Sequence, residues 1–237
     1  MSPDDALQQD AIGKALAGRD PTEMLPFAGL SKAEARRILD QATLRQISSN
    51  GVCFHEGDDA RNFYVLLDGV LRVVRTTKDG EQVVVLHICP GQLFGIAKAF
   101  AKDTYHASAK AASPSLALAW PSELWDEYLR DYPGFHDATC RAVGTRVEEM
   151  QDKIVEMATL QVEQRIAHAI LRLLQKTGLE REDGVEIGFP ITRQDISEMT
   201  GTTLHSVSRY LSKWQKSGII EGSRRRILVR RPEDLPV

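Results

Sequence analysis

The segment ITRQDISEMTGTTLHSVSRYLSKWQKSG, residues 191–218, decides how the C-terminal part of this chain folds. Thr192 is placed to cap a short helix, Arg193–Thr200, in which Ile196 and Met199 face inward. Gly201 then permits a tight turn, because glycine reaches positive φ at no steric cost. Leu204 opens a second helix with Val207, Tyr210, Leu211 and Trp214 as its apolar contacts. His205, Ser208, Arg209, Ser212 and Lys213 are left pointing outward. After Gly218 come Ile219-Ile220, a Gly222-Ser223 turn and the strand-like Arg226–Arg230. Helix, turn, helix and β-hairpin in this order make a winged helix-turn-helix.

The chemistry of that outward face suits nucleic acid. A helix that sits deep in the major groove needs small and polar residues near its N-terminus. Arg209 is long enough to pair with O6 and N7 of a guanine, while His205, Ser206 and Ser208 can hydrogen-bond neighbouring bases or phosphates. Arg224, Arg225 and Arg226 on the hairpin suit phosphates, as do Lys213 and the cap positions Thr192 and Thr203. Charge agrees: residues 188–237 carry nine Lys/Arg against five Asp/Glu, although the chain as a whole has a net charge of −3. A basic segment on an acidic body is the footprint of a local polyanion surface.

Upstream lies a long helical stretch, Phe135–Leu160, in which Val143, Val147, Met150, Ile154 and Met157 recur at steps of four and three. That narrow stripe is the seam of a two-stranded coil, and its simplest partner is the same helix in a second copy. A helix packed only on its own domain would show a broader apolar face. Between it and the reading segment, Val162–Gln175 reads as an amphipathic helix and Gly178–Gly188 as a loop with a short strand.

From Thr43 to Trp120 short strand-like runs alternate with Asp68-Gly69, Asp79-Gly80 and Pro90-Gly91. Asp-Gly between such runs is a hairpin signal, and many of them imply an antiparallel β-barrel or jelly roll. Ser122–Tyr132 reads as one helix, Ser31 with Glu34 as a capping box, and the first twenty or so residues as a loosely held arm. The expected class is α+β. Its divisions are an arm over 1–24, a β-barrel domain over 25–132, a dimerisation helix over 133–160 and a DNA-binding domain over 161–237.

The apolar content of 42% supports ordinary globular domains, and no run reaches the length of a membrane span. With no apolar leader at the N-terminus, the expected compartment is the cytoplasm. Cys53, Cys89 and Cys140 are too scattered for a disulfide framework or a zinc knuckle. No nucleophile–base pairing, phosphate-cradling loop or metal motif stands out, so an enzyme is not expected.

The string Gly57-Asp58-Asp59-Ala60-Arg61-Asn62-Phe63-Tyr64-Val65-Leu66-Leu67-Asp68-Gly69 resembles the signature of cyclic-nucleotide-binding-type β-barrels. Followed by the long helix and the winged helix-turn-helix, it resembles the Crp/Fnr family of bacterial regulators. The resemblance implies a homodimer that binds a palindromic promoter site on double-stranded DNA and contacts RNA polymerase. The family's recognition helix usually reads Glu-x-x-Ser-Arg or Glu-x-x-Gly-Arg; here it reads His205-Ser206-Val207-Ser208-Arg209. Serine and arginine are kept, which implies a guanine in the half-site. Histidine replaces the glutamate and changes the preference beside it.

The family's effector chemistries can be compared with these residues. Cyclic AMP sensors carry Gly-Glu and Arg-Ser pairs, whereas here Gly95 is followed by Ile96 and His106 by Ala107. Most charge-assisted contacts to a cyclic phosphate are thereby lost, and cyclic AMP is not expected. The N-terminal cysteine cluster that holds an iron–sulfur centre in the oxygen sensors is also not seen. Residues 189–231, 68–74 and 93–97 resemble the nitric oxide-responsive NnrR subgroup, which controls denitrification and nitric oxide removal. That resemblance implies nitric oxide as the effector, sensed through a haem iron; in this sequence His55, His106 or His87 could offer the imidazole. The alternative is a regulator with no ligand, controlled by its own expression or by a thiol switch.

Overall fold

The computed structural model describes residues 3–18 and 20–236. Helices α1 (Pro3–Ala15) and α2 (Lys32–Leu39) precede eight strands. These are β1 (Thr43–Ile47), β2 (Val52–Phe54), β3 (Asn62–Asp68), β4 (Leu71–Thr76), β5 (Gln82–Ile88), β6 (Leu93–Phe94), β7 (Ser108–Ala111) and β8 (Ser115–Pro121). Helices α3 (Trp125–Asp131), α4 (Pro133–Thr159) and α5 (Val162–Thr177) follow. The chain ends with β9 (Gly178–Arg181), β10 (Gly184–Ile187), α6 (Arg193–Thr200), α7 (Leu204–Lys216), β11 (Ile220–Ser223) and β12 (Arg226–Val229). It divides into two compact units, Met1–Val73 with His87–Glu148, and Val74–Leu86 with Glu149–Val237.

The eight strands make two four-stranded sheets, ordered β1-β8-β3-β6 and β2-β7-β4-β5. Their facing surfaces meet where Phe54 of β2 stacks on Tyr64 of β3, with ring centroids 5.8 Å apart. The turn after β3 works only with glycine: Gly69 has φ +84°, and a Cβ there would lie 2.4 Å from the Pro114 carbonyl oxygen. Outside the β1-β8-β3-β6 sheet, Phe63 stacks on Trp120 at 5.5 Å and meets the edge of Trp125 at 5.0 Å. Trp120 satisfies its one polar group by donating Nε1–H to the Ile38 carbonyl at 2.7 Å. Each such buried aromatic contributes roughly 1.5–3 kcal/mol. Ser31 and Glu34 form the reciprocal capping box that fixes the entry to α2.

Three local expectations are corrected. The N-terminal stretch, expected as a loose arm, holds helix α1, with Ile12 3% exposed and Gln9 donating to the Asp40 carbonyl at 2.9 Å. Its sequence shows no stripe because few apolar residues anchor it, so the helix rests on tertiary contacts. Ser122–Tyr132 is not one helix: a 3₁₀ turn, Ser122–Leu124, precedes α3. Gly178–Gly188 holds a full hairpin, β9 paired with β10 from Gly178↔Ile187 to Gly184↔Arg181.

In the second unit, Ile166 and Ile170 of α5, Ile196 of α6, and Val207, Leu211 and Trp214 of α7 are buried. The sheet β11-β12-β10-β9 completes this unit. Among the described residues no helix is long and apolar enough to cross a membrane.

Candidate nucleic-acid interface

Two caps and one glycine set the angle between α6 and α7. The Thr192 hydroxyl accepts from the Asp195 amide at 3.1 Å, and the Asp195 carboxylate accepts from the Thr192 amide at 2.8 Å. Gly201 ends α6 at φ +60°, where a side chain would be strained. Ser197 then donates to the Thr202 carbonyl at 2.5 Å, and Thr203 caps α7 by accepting from the Ser206 amide at 3.1 Å. A neighbouring helix also holds α7, since Glu163 accepts from Trp214 Nε1 at 3.2 Å and from Lys213 Nζ at 2.9 Å.

The exposed side of α7 presents His205 and Arg209, with Ser206 and Ser208 half-buried between them. The Arg209 guanidinium lies 4.6 Å from the Tyr210 ring centroid and donates to the Tyr210 hydroxyl at 2.9 Å, which orients it before any ligand arrives. Leu204 was not among the expected readers. It opens α7 and is 47% exposed. At 100° per residue it lies 40° from Ser208, on the border of the polar face. An exposed leucine in a run of polar residues was the signal for it.

The wing differs in detail from expectation. Its turn is Arg224-Arg225, two residues later than Gly222-Ser223, because Ser223 pairs with Arg226 across the hairpin. Arg224 and Arg225 are exposed at the tip. Arg226 is engaged elsewhere: it grips Glu186 through two hydrogen bonds, at 2.6 and 3.1 Å. Arg181 holds the same carboxylate at 2.8 Å. Hydrogen bonds from Arg181 and Arg226 keep the Glu186 carboxyl below its ordinary range. Thr192, Thr203 and Lys213 likewise sit in structural bonds, so their first role is to set the geometry of the face.

Over its C-terminal half, helix α4 reverses the usual amphipathic arrangement. Its first turns bury Phe135 and Ala138, but from Arg146 onward the flank facing its own chain is polar: Arg146 donates to the Leu93 carbonyl, and Lys153 to the Val84 carbonyl at 2.9 Å. Glu156 takes Arg172 and His168. The apolar row lies outside, with Val147 47%, Met150 49%, Ile154 66% and Met157 53% exposed; Val143, expected on the same row, is half-buried and packs against its own chain's core instead.

The barrel interior is filled by its own aromatics. Phe54 stacks on Tyr105 at 3.7 Å and Tyr64 on Phe94 at 4.9 Å. A polar cleft of about 490 Å³ remains beside them, lined by Cys53, Asp58, Asp59, Arg61, Asn62 and Tyr105 among others. None of the three sensor histidines lines it. His55 and His106 are exposed, His106 against the edge of Phe100, and His87 is buried in β5. Among the described residues no three His, Cys, Asp or Glu side chains converge on a metal position. A haem needs an apolar slot with an imidazole at its wall. The residues at this cleft do not fit one.

Residues 44–132 match the cyclic nucleotide-binding domain family, and residues 164–236 match the Crp-like helix-turn-helix domain. Together they span more than half the chain, in the order of the two units' functional parts. The chain belongs to the Crp/Fnr family of transcription regulators. Regulatory protein HlyX of Actinobacillus pleuropneumoniae is 25% identical to this Crp/Fnr chain over 215 residues, covering 90% of it and 88% of HlyX. The fumarate and nitrate reduction regulatory protein of Vibrio cholerae is 27% identical over 199 residues, covering 83% and 78%. FixK2 from Bradyrhizobium japonicum shares the fold with a TM-score of 0.71 at 19% identity, over 83% of this chain and 98% of FixK2. So does the c-di-GMP-responsive regulator CLP of Xanthomonas campestris, with a TM-score of 0.74 at 18% identity, over 84% and 99%. As a Crp/Fnr-type regulator the chain is a DNA-binding protein and not an enzyme.

Proposed function

We propose that this regulator acts as a homodimer joined along α4, reading a palindromic promoter site and contacting RNA polymerase there. The observation that carries it is the uncovered apolar row Val147, Met150, Ile154 and Met157 on a helix whose other flank is already bonded to its own chain. Joining two such rows removes them from water and brings two copies of α7 to one duplex. In each copy Arg209 reads a guanine, Ser208 and His205 read beside it, and Arg224 and Arg225 hold phosphates. This assigns 25–132 to sensing, 133–160 to dimerisation and 161–237 to DNA.

Nitric oxide is the proposed effector, and denitrification and nitric oxide removal genes the targets. The support is the likeness of residues 189–231, 68–74 and 93–97 to nitric oxide-responsive regulators. Haem has no place in this reading, given where the three sensor histidines lie. A thiol switch is disfavoured at Cys53, whose thiol burial pushes up to about 11, leaving it protonated and slow to oxidise at neutral pH. The test is promoter affinity of the purified full chain with and without a nitric oxide donor. A change of several-fold supports the effector assignment; identical binding curves refute it.

A further inference from the structure

The α4 seam continues beyond its apolar part. Counting back from Val143 by three and then four residues reaches Cys140 and His136, so both lie on the stripe that carries Val147, Met150, Ile154 and Met157. Both are exposed on the single chain. His136 Nε2 stands 3.9 Å from Cys140 Sγ, one helical turn away. On the other side of the ring, His136 Nδ1 lies 3.3 Å from Asp137 Oδ1. With its proton on Nδ1 toward Asp137, the imidazole turns the Nε2 lone pair toward the cysteine.

We propose that His136 and Cys140 from two copies of this chain together bind one divalent zinc-class ion at the start of the α4 seam. Ligand bonds of about 2.3 Å to sulfur and 2.0–2.1 Å to nitrogen at a tetrahedral centre put S and N about 3.6 Å apart. The observed pair needs to move only a few tenths of an ångström to meet that. Asp137 supplies the outer carboxylate that fixes a metal-bound histidine's tautomer and orientation. One chain offers only two ligands, and a two-fold axis along the seam supplies the other two, giving Cys₂His₂. Thiolate and imidazole select zinc over the oxygen-seeking magnesium and calcium. Each Cys140 gives up its proton to solvent on binding, so affinity rises with pH.

The proposal rests on the homodimer proposed above, with its helices parallel. Parallel pairing follows from the order of the chain: each reading segment lies beyond the C-terminal end of its α4, and both must reach one duplex. Residues of the same number then face each other across the seam. The remaining cysteines are poor competitors, since Cys53 is held protonated and Cys89 is buried.

Metal-free full-length protein, kept reduced with a phosphine, is titrated with cobalt(II) while light scattering reports its mass. The expected result is a dimer with a thiolate-to-cobalt charge-transfer band and tetrahedral d–d bands, saturating at one cobalt per two chains and displaced by zinc. Cys140→Ser abolishes the charge-transfer band, His136→Ala removes the tetrahedral signature, and Asp137→Asn weakens binding roughly tenfold. A dimer with no thiolate band, saturation at one cobalt per chain, or an unchanged band in Cys140→Ser overturns the metal site and leaves the dimer standing. A chain that stays monomeric at all concentrations tested refutes the dimer, and the shared site with it.

Discussion

Arg209 is the side chain on which the proposed base reading turns. It is held over Tyr210 before DNA arrives, so little rotamer freedom remains to be lost on binding. Arg209→Ala should weaken binding to a selected site by about 1–3 kcal/mol and erase the preference for guanine at one position in each half-site. Competition with base-substituted duplexes checks this. Arg224→Ala and Arg225→Ala should instead weaken all sequences alike and flatten the dependence of affinity on salt. Arg226→Ala should change salt dependence least, because its guanidinium is held by Glu186. That last distinction was not legible in the sequence. A row of three arginines looks uniform until the cross-strand register, with Glu186 opposite Leu228, sets Arg226 diagonally across from an acidic residue of another hairpin. His205, Ser208 and Arg209 were legible, because the periodicity of Val207, Leu211 and Trp214 leaves them the outward face.

Among the elements, α4 and the wing carry separate predictions. Ile154 is 66% exposed on an apolar row, so Ile154→Glu should leave the single chain folded and break the dimer. Light scattering should show a halved mass and circular dichroism an unchanged helix content. The wing is tied to β10 by Glu186, whose carboxyl is held below its ordinary range. A depressed folded pKa contributes stability that is complete above the unfolded value and lost as pH falls through the folded one. Wild type should therefore outlast Glu186→Gln in thermal melts at neutral pH, and the gap should close as pH falls below the ordinary carboxylate range. The carboxylate is near the surface, so the effect is small. The sequence showed the apolar row of α4 through its four-three spacing. It did not show that the opposite flank is bonded by Arg146, Lys153 and Glu156, because those partners are distant in the chain. Helix α1 was missed for a similar reason, since Ile12 reads as isolated until the fold buries it in the core cluster with Phe27, Ile38 and Leu39.

At the scale of the whole molecule, the barrel, long helix and winged helix-turn-helix were expected from Asp-Gly turns, the seam and the capped helix pair. The effector was expected from resemblance alone, because the interior carries a packed aromatic cluster where charged ligand contacts would have been diagnostic. The central claim is a dimer that presents two reading helices to one duplex. In vitro selection from randomised DNA with the full-length chain tests it most directly. The account predicts an inverted repeat with half-site centres about one helical turn, ~34 Å, apart, each with a guanine that is no longer selected by Arg209→Ala. Enrichment of a lone half-site, or of no sequence at all, would contradict it.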